Sequence, residues 1–254
     1  MRPGKGNRLR VLVISDIHAN IDALEAIDEQ YDRLLCLGDI VDYGPAPVAC
    51  LEALREPMLR VRGNHDNAVA FRTDCGCGEA FRHLSVETRE YMWQVLSDRQ
   101  ISWLGEPELL LETEIDGKRI YAVHAAPSDP LFKYLPPDTP DDELAREAAL
   151  ADADIILMGH THKPFLREAG GKLLVNAGSV GQPRDGIPQA SYAVIEDGRV
   201  SLHRAEYDLE RAASRLRELP LDEVAREQLT YILEHATAPP KNQGKTRGTH
   251  NLIP

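Results

Sequence analysis

The chain has 254 residues, of which 43% are hydrophobic and 28% are charged, a composition typical of a globular protein. This length is enough to bury a core in one large domain or two small ones. The formal net charge of −12 disfavours long nucleic acid and anionic lipid as partners, because an acidic surface repels both.

The N-terminal region and the cysteines indicate a cytoplasmic protein. No stretch approaches the ~20 apolar residues of a membrane span, and the run 11–14 is too short for a signal-peptide core. Cys36 and Cys50 lie in apolar segments and are expected to be buried thiols. Cys75-Gly76-Cys77 favours a plain loop over a metal site or a redox couple, since no second cysteine pair completes a site.

The first third of the chain alternates short apolar runs with amphipathic segments. Strands are predicted at 9–14, 33–37 and 58–61, with helices that begin after Asn20 and span 48–55. This alternation indicates βαβ units and a parallel sheet. In open sheets of this kind, active sites lie at the carboxyl ends of the strands.

In the middle of the chain, strands and helices no longer alternate. Helical spacing from Phe81 to Val95 predicts a long amphipathic helix, and Asp116-Gly117 predicts a hairpin between strands at 108–115 and 118–124. A Pro-rich loop and a helix at 141–150 follow. We interpret 67–105 and 126–150 as lid-like insertions.

The remainder is rich in short strands and ends in two helices. Strands are predicted at 154–158, 165–168, 172–175, 190–195 and 200–204, and helices around 207–218 and 221–235. The sequence thus predicts a single domain over residues 1–235. The polar, Pro- and Gly-containing segment 236–254 is expected to form a flexible tail.

Five blocks of metal-ligand residue types follow the predicted strands or turns. They are Asp16-Ile17-His18, Gly38-Asp39-Ile40-Val41-Asp42-Tyr43-Gly44, Gly63-Asn64-His65-Asp66, His124 and Gly159-His160-Thr161-His162. Residues two apart on extended backbone point to the same side, which applies to the Asp-x-His and His-x-His pairs. The glycines at 38 and 63 suit points where the backbone turns tightly beside an ion.

Together these blocks supply enough carboxylates, imidazoles and amide oxygen to bind two divalent ions. Asp39 suits a bridging position because a carboxylate has two oxygens, whereas Asn64 offers one neutral oxygen. Two metal ions about 3.5–4 Å apart form a site that hydrolyses phosphate esters. The sequence therefore predicts a dinuclear metal hydrolase.

The motifs resemble those of the calcineurin-like metallophosphoesterase family over nearly all of residues 9–205. Residues 161–165 and 175–186 resemble a bacterial branch of small phosphodiesterases and dinucleoside polyphosphate hydrolases. The resemblance implies an α/β class fold, a four-layer α/β/β/α sandwich of two mixed sheets. Carried over by position, one ion is bound by Asp16, His18, Asp39 and His162, and the other by Asp39, Asn64, His124 and His160. The family implies Mn²⁺ or Fe, and the donor set also suits Zn²⁺, Ni²⁺ and Co²⁺.

Three further residues are candidates for binding or proton transfer. His65 is predicted to be the general acid, with a purely structural hydrogen bond as the competing role. Asp66 is predicted to orient His65 or to raise its pKa. Arg184 is predicted to contact a phosphate together with Asn64, and the alternative for Arg184 is a salt bridge that shapes its loop.

These observations predict hydrolysis of phosphodiester or phosphoanhydride bonds in a small, nucleotide-like substrate. The aromatic residues of 67–105, together with Phe132 and Tyr134, suggest a lid that stacks a nucleobase. A place in the core is the competing role, and helical spacing favours it for Phe81 and Tyr91. One alternative is a catalytically silent interaction scaffold on the same fold. Another is a phosphomonoesterase or protein phosphatase, although Tyr43 and Asp66 replace the Arg and Glu of the related protein phosphatases. A nuclease is disfavoured by the acidic balance, and a homo-oligomer is left open.

Overall fold

The computed structural model describes residues 9–54 and 58–239. Within them, the first of two five-stranded sheets has the strand order β10-β9-β1-β2-β3. Its members are β1 (Val11–Ile14), β2 (Arg33–Cys36), β3 (Met58–Arg60), β9 (Ala190–Glu196) and β10 (Arg199–Ala205). The first three strands are parallel, as predicted, and β9 joins β1 in antiparallel orientation.

The second sheet has the order β4-β5-β6-β8-β7. Its members are β4 (Leu110–Ile115), β5 (Lys118–Val123), β6 (Ile155–Met158), β7 (Phe165–Ala169) and β8 (Lys172–Asn176). The predicted hairpin is present, with Ile115 opposite Lys118 and positive φ angles at Asp116 and Gly117, which match the right-handed twist of the strands. β5, β6 and β8 run parallel, so this sheet is also mixed.

Side-chain alternation along the strands builds the layers. Val11 and Val13 of β1 pack between the sheets with residues such as Ile120, whereas Leu12 and Ile14 face the helices on the outer side. The outer face of the second sheet packs against α6. The predicted four-layer arrangement of two mixed sheets with flanking helices is confirmed.

Eight helices are present in the described residues. They are α1 (Ile21–Glu25), α2 (Pro47–Ala53), α3 (Asn64–Phe71), α4 (Glu79–Val95), α5 (Asp98–Gly105), α6 (Asp141–Ala149), α7 (Leu209–Arg217) and α8 (Glu223–His235). The Asn20 side chain caps α1 by accepting the Ala23 N–H at 3.1 Å. None of the described helices is long and apolar enough to span a bilayer.

Segment 67–105 contains more helix than the sequence predicted. Only α4 was expected, because α3 begins with three buried polar residues and so lacks an apolar stripe. The tryptophans of the segment have structural contacts: the Trp93 indole donates to Val69 O at 2.9 Å, and the Arg60 guanidinium lies 3.5 Å from the centre of the Trp103 ring. These indoles therefore stabilise the packing of the segment.

The C-terminal helices pack onto the helical side of the first sheet, α7 against α1 and α8 against α4. Ala236, where the flexible tail was predicted to begin, is buried, and its carbonyl accepts the N–H of Gly186 at 2.9 Å. The start of the predicted tail is therefore fixed to the fold, and residues 240–254 of it lie outside the described residues.

Candidate metal centre and active site

The predicted ligands meet where five strands end. Asp16 follows β1, Asp39 follows β2, Asn64 follows β3, His124 follows β5, and His160 and His162 follow β6. The loops turn sharply here, and five of the ligands have positive φ angles, namely Asp16, His18, Asp39, His160 and His162. Such strained non-glycine backbone, which costs about 1–3 kcal/mol per residue, clusters at functional sites.

Two glycines permit the close approach of the β2 and β3 loops. A Cβ atom at Gly63 would lie 2.1 Å from Asp39 Oδ1, and one at Gly38 would lie 2.3 Å from the Gly63 nitrogen. Gly38 also has a φ of +91°, a conformation that glycine adopts without steric cost. The expectation that both positions require glycine is met.

The first ligand group consists of Asp16, His18 and His162. Asp16 Oδ2 accepts from the Ser15 hydroxyl at 2.6 Å and from the His160 N–H at 3.0 Å. Its other oxygen, Oδ1, is buried without a hydrogen-bond partner and lies 3.1 Å from His162 Nε2 and 3.8 Å from His18 Nε2. Three ligand atoms therefore converge on one point.

The second ligand group consists of Asp39, Asn64, His124 and His160. Asp39 Oδ2 lies 3.2 Å from His124 Nε2, and Asn64 Oδ1 lies 2.9 Å from His124 Nε2 and 3.1 Å from His160 Nδ1. Asp39 Oδ2 is also buried without a hydrogen-bond partner, and it lies 3.8 Å from His18 Nε2 of the first group. Asp39 thus lies between the two ligand groups, and its bridging of two ions stays a prediction.

Backbone carbonyls fix the tautomers of all four imidazoles. The pairs are His18 Nδ1 with Val41 O (3.1 Å), His124 Nδ1 with Leu37 O (2.8 Å), His162 Nδ1 with Gln182 O (2.6 Å) and His160 Nε2 with Phe132 O (3.3 Å). Each of these nitrogens donates its proton to the carbonyl, so the other nitrogen of each ring, when the ring is neutral, directs a lone pair into the cluster.

These lone pairs provide a physical test of whether the site suits cations. His18 Nε2 and His162 Nε2 are 3.2 Å apart, and His124 Nε2 and His160 Nδ1 are also 3.2 Å apart. Lone pairs and carboxylate oxygens that face each other at this distance repel unless a proton or a metal ion lies between them. The residues of both groups therefore fit divalent metal ions.

The protonation states of His160, His162, Asp16 and Asp39 suit metal binding as well. At His124 burial alone lowers the pKa, but the carboxylates of Asp39 and Asp16 outweigh burial and raise the pKa to about 9, so an ion that binds there displaces a proton. Burial lowers the pKa of His160 and of His162 to about 3, so both rings are neutral near pH 7. Burial disfavours the ionised forms of Asp16 and Asp39, but the surrounding histidines outweigh this effect and hold both pKa values below the usual range. Neutral imidazoles and ionised carboxylates are the forms that bind metal.

Asp66 does not contact the His65 ring as predicted. Its carboxylate accepts the N–H groups of Asp39 at 2.8 Å and Ile40 at 2.9 Å, and burial raises its pKa to about 7. As the third residue of α3, its side chain turns back toward the helix N-terminus, where it meets the loop after β2. The prediction that Asp66 orients His65 is therefore wrong, and Asp66 instead stabilises the Asp39 loop.

Asp42 takes the role expected of Asp66. Its Oδ2 lies 2.7 Å from His65 Nδ1, and its Oδ1 accepts the Thr88 hydroxyl from α4. Burial alone lowers the pKa of His65, but the carboxylates of Asp39 and Asp42 outweigh burial and raise it to about 9. Asp42 was not predicted as a site residue, and its only signal in the sequence was its place in the block that contains Asp39.

Arg184 lies at the rim of the centre. Its Nε and Nη2 donate to Gln182 Oε1 at 3.2 and 2.6 Å, and its guanidinium carbon lies 3.8 Å from the centre of the Phe81 ring. Within residues 9–54 and 58–239 no carboxylate pairs with Arg184, and the salt bridge of this loop joins Asp185 to Arg204 instead. The alternative prediction, that Arg184 forms a salt bridge that shapes its loop, is therefore wrong.

Two aromatic side chains flank the second ligand group. The Tyr134 ring lies 4.0 Å from the His160 ring, centre to centre, and Tyr134 is 42% exposed. Phe132, whose carbonyl binds His160, is 39% exposed. Partly exposed aromatic surface therefore adjoins the metal ligands, and stacking of a base on it stays a prediction.

Residues 9–197 match the family model of the calcineurin-like phosphoesterase superfamily domain. The chain belongs to this superfamily of metal-dependent enzymes and is a hydrolase of phosphoric esters. It is 33% identical to an uncharacterized protein of Methanocaldococcus jannaschii, in an alignment that covers 81% of this chain and 91% of that protein. It is 26% identical to the phosphodiesterase YfcE of Escherichia coli, over 76% of this chain and 91% of YfcE.

Solved structures agree with the family assignment. A metallophosphoesterase of Sphaerobacter thermophilus has a TM-score of 0.76 and 31% identity, and the comparison covers 91% of this chain and all of that one. A hypothetical protein of Pyrococcus horikoshii has a TM-score of 0.78 at 22% identity, covering 89% and 98%. At this identity, the similarity to the Pyrococcus horikoshii protein shows a shared fold alone.

Proposed function

We propose that this protein uses two divalent metal ions to hydrolyse phosphodiester or phosphoanhydride bonds of a small, nucleotide-like substrate. The observation that carries the proposal is the position of Asp39 Oδ2, a buried oxygen without a hydrogen-bond donor that faces both His124 and His18. A carboxylate oxygen that faces two sets of imidazole lone pairs is suited to bridging two cations.

The two ligand groups bind the ions. Two divalent ions in such a centre supply charge stabilisation to phosphate oxygens and a hydroxide nucleophile near neutral pH. We expect Mn²⁺ or Fe, and the mixture of oxygen and nitrogen donors, which contains no thiolate, is also compatible with Zn²⁺, Ni²⁺ and Co²⁺.

His65 supplies the proton for the leaving oxygen. Asp42 holds the ring through Nδ1, and the ring lies beside His18, with 5.2 Å between the ring centres. The Asp42 carboxylate stabilises the protonated His65 ring, and the proton on Nε2 remains available for the leaving oxygen of the substrate. Protonation of the leaving oxygen matters most for poor leaving groups such as sugar hydroxyls.

Arg184 binds a phosphate oxygen of the substrate. Its guanidinium is held by Gln182 and lies against Phe81, and Gln182 also accepts the Nδ1 proton of the metal ligand His162. A cation in a defined position without a carboxylate partner, next to a metal centre, is suited to an incoming phosphate.

Tyr134 and Phe132 favour a nucleotide over a purely aliphatic ester. Both rings are partly exposed beside His160, so a base attached to a bound phosphate has an aromatic surface within reach. Stacking of a base on an aromatic side chain contributes about 1–3 kcal/mol. The diester preference is supported by the likeness to a phosphodiesterase and by Tyr43, which replaces the arginine of the related protein phosphatases.

The test is hydrolysis of bis-p-nitrophenyl phosphate and p-nitrophenyl phosphate side by side, with Mn²⁺. We expect turnover of the diester that is lost in Asp39→Asn and retained in Asp116→Asn, a control in the β4–β5 turn. Preference for the monoester would contradict the diester proposal. Absence of turnover of either compound, with both ions bound, would support the scaffold alternative.

A further inference from the structure

The loop between α3 and α4 places two thiols beside the metal centre. Cys75 Sγ lies 3.4 Å and Cys77 Sγ 3.3 Å from the same oxygen, Ser85 Oγ on α4. Cys75 is buried, whereas Cys77 is half-buried. Solvent therefore reaches one member of the pair. The spacing in sequence favours a plain loop, but the structure places both sulfurs around one hydroxyl oxygen.

The same loop supports ligands of the second group. The Cys75 carbonyl accepts from Asn64 Nδ2 at 2.7 Å, which directs Asn64 Oδ1 toward His124 and His160. Gly76 lies against Phe132, since a Cβ atom at Gly76 would be 2.8 Å from Phe132 Cδ1. The position of this loop thus determines the orientation of the one amide ligand.

We propose that Cys75 and Cys77 are a hydroperoxide-reactive dithiol, and that their disulfide withdraws the Cys75 carbonyl from Asn64. The consequence for the metal rests on the proposed function: the second ligand group loses the orientation of its amide oxygen and binds its ion more weakly. The modification site is the thiol pair, and the co-reactant is a hydroperoxide.

The chemistry balances with one hydroperoxide per disulfide. The Cys77 thiolate attacks a peroxide oxygen, the O–O bond breaks, and the leaving hydroxide takes up a proton to form water, which leaves Cys77 as a sulfenic acid. The Cys75 sulfur then attacks the Cys77 sulfur, the S–S bond forms and the S–O bond breaks. The departing hydroxide and the Cys75 proton form a second water, and the two sulfurs have given two electrons to the peroxide.

Formation of the disulfide moves the carbonyl for a covalent reason. The carbonyl carbon of Cys75 is a member of the small ring that an S–S bond between these residues closes. The sulfurs must approach to about 2.05 Å, and closure of this small ring rotates the peptide plane that carries the Cys75 carbonyl. Gly76, with a φ of +66°, lies in this ring and provides the backbone freedom that closure requires.

The environment of Cys77 suits the attacking role. The Cys75 thiol beside it outweighs burial and lowers the pKa of Cys77 to about 6, while the pKa of Cys75 is raised. A thiolate that is accessible and adjacent to a second thiol is the usual arrangement of a peroxide-reactive pair. Cys36 and Cys50 are both buried in the core beside the first sheet and are expected to stay reduced.

The experiment treats the reduced, metal-loaded protein with stoichiometric hydrogen peroxide. Intact mass and peptide mapping should show loss of two hydrogens and a Cys75–Cys77 disulfide that dithiothreitol reverses. Metal release to a chromogenic chelator should show affinity for one ion reduced about 10- to 100-fold, the range for loss of an outer-shell partner of a ligand. Cys77→Ser should lose both responses, whereas Cys50→Ala should keep both.

The NMR signal of the Asn64 side-chain amide provides a second measurement, which does not depend on metal. It is recorded in asparagine-labelled protein and assigned with Asn64→Asp. We expect this signal to shift on oxidation of metal-free protein. Two results would overturn the proposal. One is that both thiols remain free after treatment with peroxide, and the other is that the disulfide forms without a change in the Asn64 signal. Reduced protein that binds no ion pair but still shows the disulfide and the Asn64 shift would contradict the proposed function while leaving the dithiol established.

Discussion

Asp42 and His65 form a buried pair in which Asp42 Oδ2 lies 2.7 Å from His65 Nδ1. Neither residue supplies an atom to the two ligand groups. A residue outside the metal centre fixes the position of this pair, because the Thr88 hydroxyl of α4 donates to the other oxygen of Asp42. A helix from the segment interpreted as an insertion therefore positions the residue that we assign to proton donation.

The first prediction concerns this pair. Asp42→Asn should lower kcat about 10²- to 10⁴-fold for a nucleoside leaving group, because His65 loses the carboxylate that stabilises its protonated form. The loss should be much smaller with p-nitrophenolate, which leaves without a proton, and metal content should be unchanged. Equal losses for both leaving groups would contradict the general-acid role of His65.

The second prediction concerns Arg184. Arg184→Gln should raise KM about 10- to 100-fold with a smaller change in kcat, since a charged hydrogen bond to phosphate contributes about 1.5–3 kcal/mol. Arg146→Gln is the control, because that arginine is exposed on α6 and paired with Asp142. Unchanged KM in Arg184→Gln would show that the guanidinium does not contact the substrate.

The third prediction concerns Tyr134. Tyr134→Ala should raise KM about 5- to 100-fold for the p-nitrophenyl ester of thymidine 5′-phosphate, which corresponds to the loss of one stacked base. The same change should affect methyl p-nitrophenyl phosphate little, and Tyr134→Phe should behave as the native protein does. A similar change for both esters would argue against a base-stacking role.

The fourth prediction concerns the pH dependence of stability. The Glu147 side chain is 4% exposed and accepts from Lys133 Nζ and from the N–H and hydroxyl of Ser128. Burial alone raises the pKa of Glu147, but Lys133 and Ser128 outweigh it, so the folded-state pKa lies below the unfolded value. The stabilisation is therefore fully present above the unfolded pKa of about 4.3 and is lost as the pH falls through the folded pKa.

Glu147→Gln should accordingly lower the free energy of unfolding by about 1.5–3 kcal/mol at pH 7, and the difference from the native protein should shrink below about pH 4. Urea denaturation at several pH values measures both effects. Glu143→Gln is the matched control, since Glu143 pairs with the same lysine but is 33% exposed. A difference that grew as the pH fell would contradict the sign of the effect.

The fifth prediction concerns close packing at Gly63. Gly63→Ala should destabilise the fold by about 1–3 kcal/mol, the usual cost of overpacking, and should weaken metal binding, because the added methyl group meets Asp39. Gly78→Ala serves as the comparison, because nothing lies within 4 Å of a Cβ there. Equal stability of the two variants would contradict the close approach of the β2 and β3 loops.

The sequence contained enough information to predict both sheets and the ligand blocks. Buried strands such as β1 and β6 are continuous apolar runs bounded by polar residues, and this pattern is local. The predicted ligands meet because parallel strands bring their carboxyl ends to one edge. Strand and helix boundaries differ by a few residues, as is usual where the last turn or bridge is irregular.

The residues that support the ligands were not predictable in the same way. Asp42 and Asp66 are both carboxylates near His65, and only the direction of α3 decides which one reaches the ring. Gln182 and Thr88 act through contacts distant in sequence, which no local periodicity reveals. α3 itself was missed because its buried residues are polar, against the usual pattern of an amphipathic helix.

The central claim is that Asp39 joins two ligand groups into one dinuclear centre. The most direct measurement is the metal content per chain of reduced native protein and of Asp39→Asn, determined by mass spectrometry of the metals together with anomalous diffraction. We predict two ions in the native protein, one between His18 and His162 and one between His124 and His160, with both bound more weakly in the variant. A single ion per chain in protein that is fully active on the diester would contradict it.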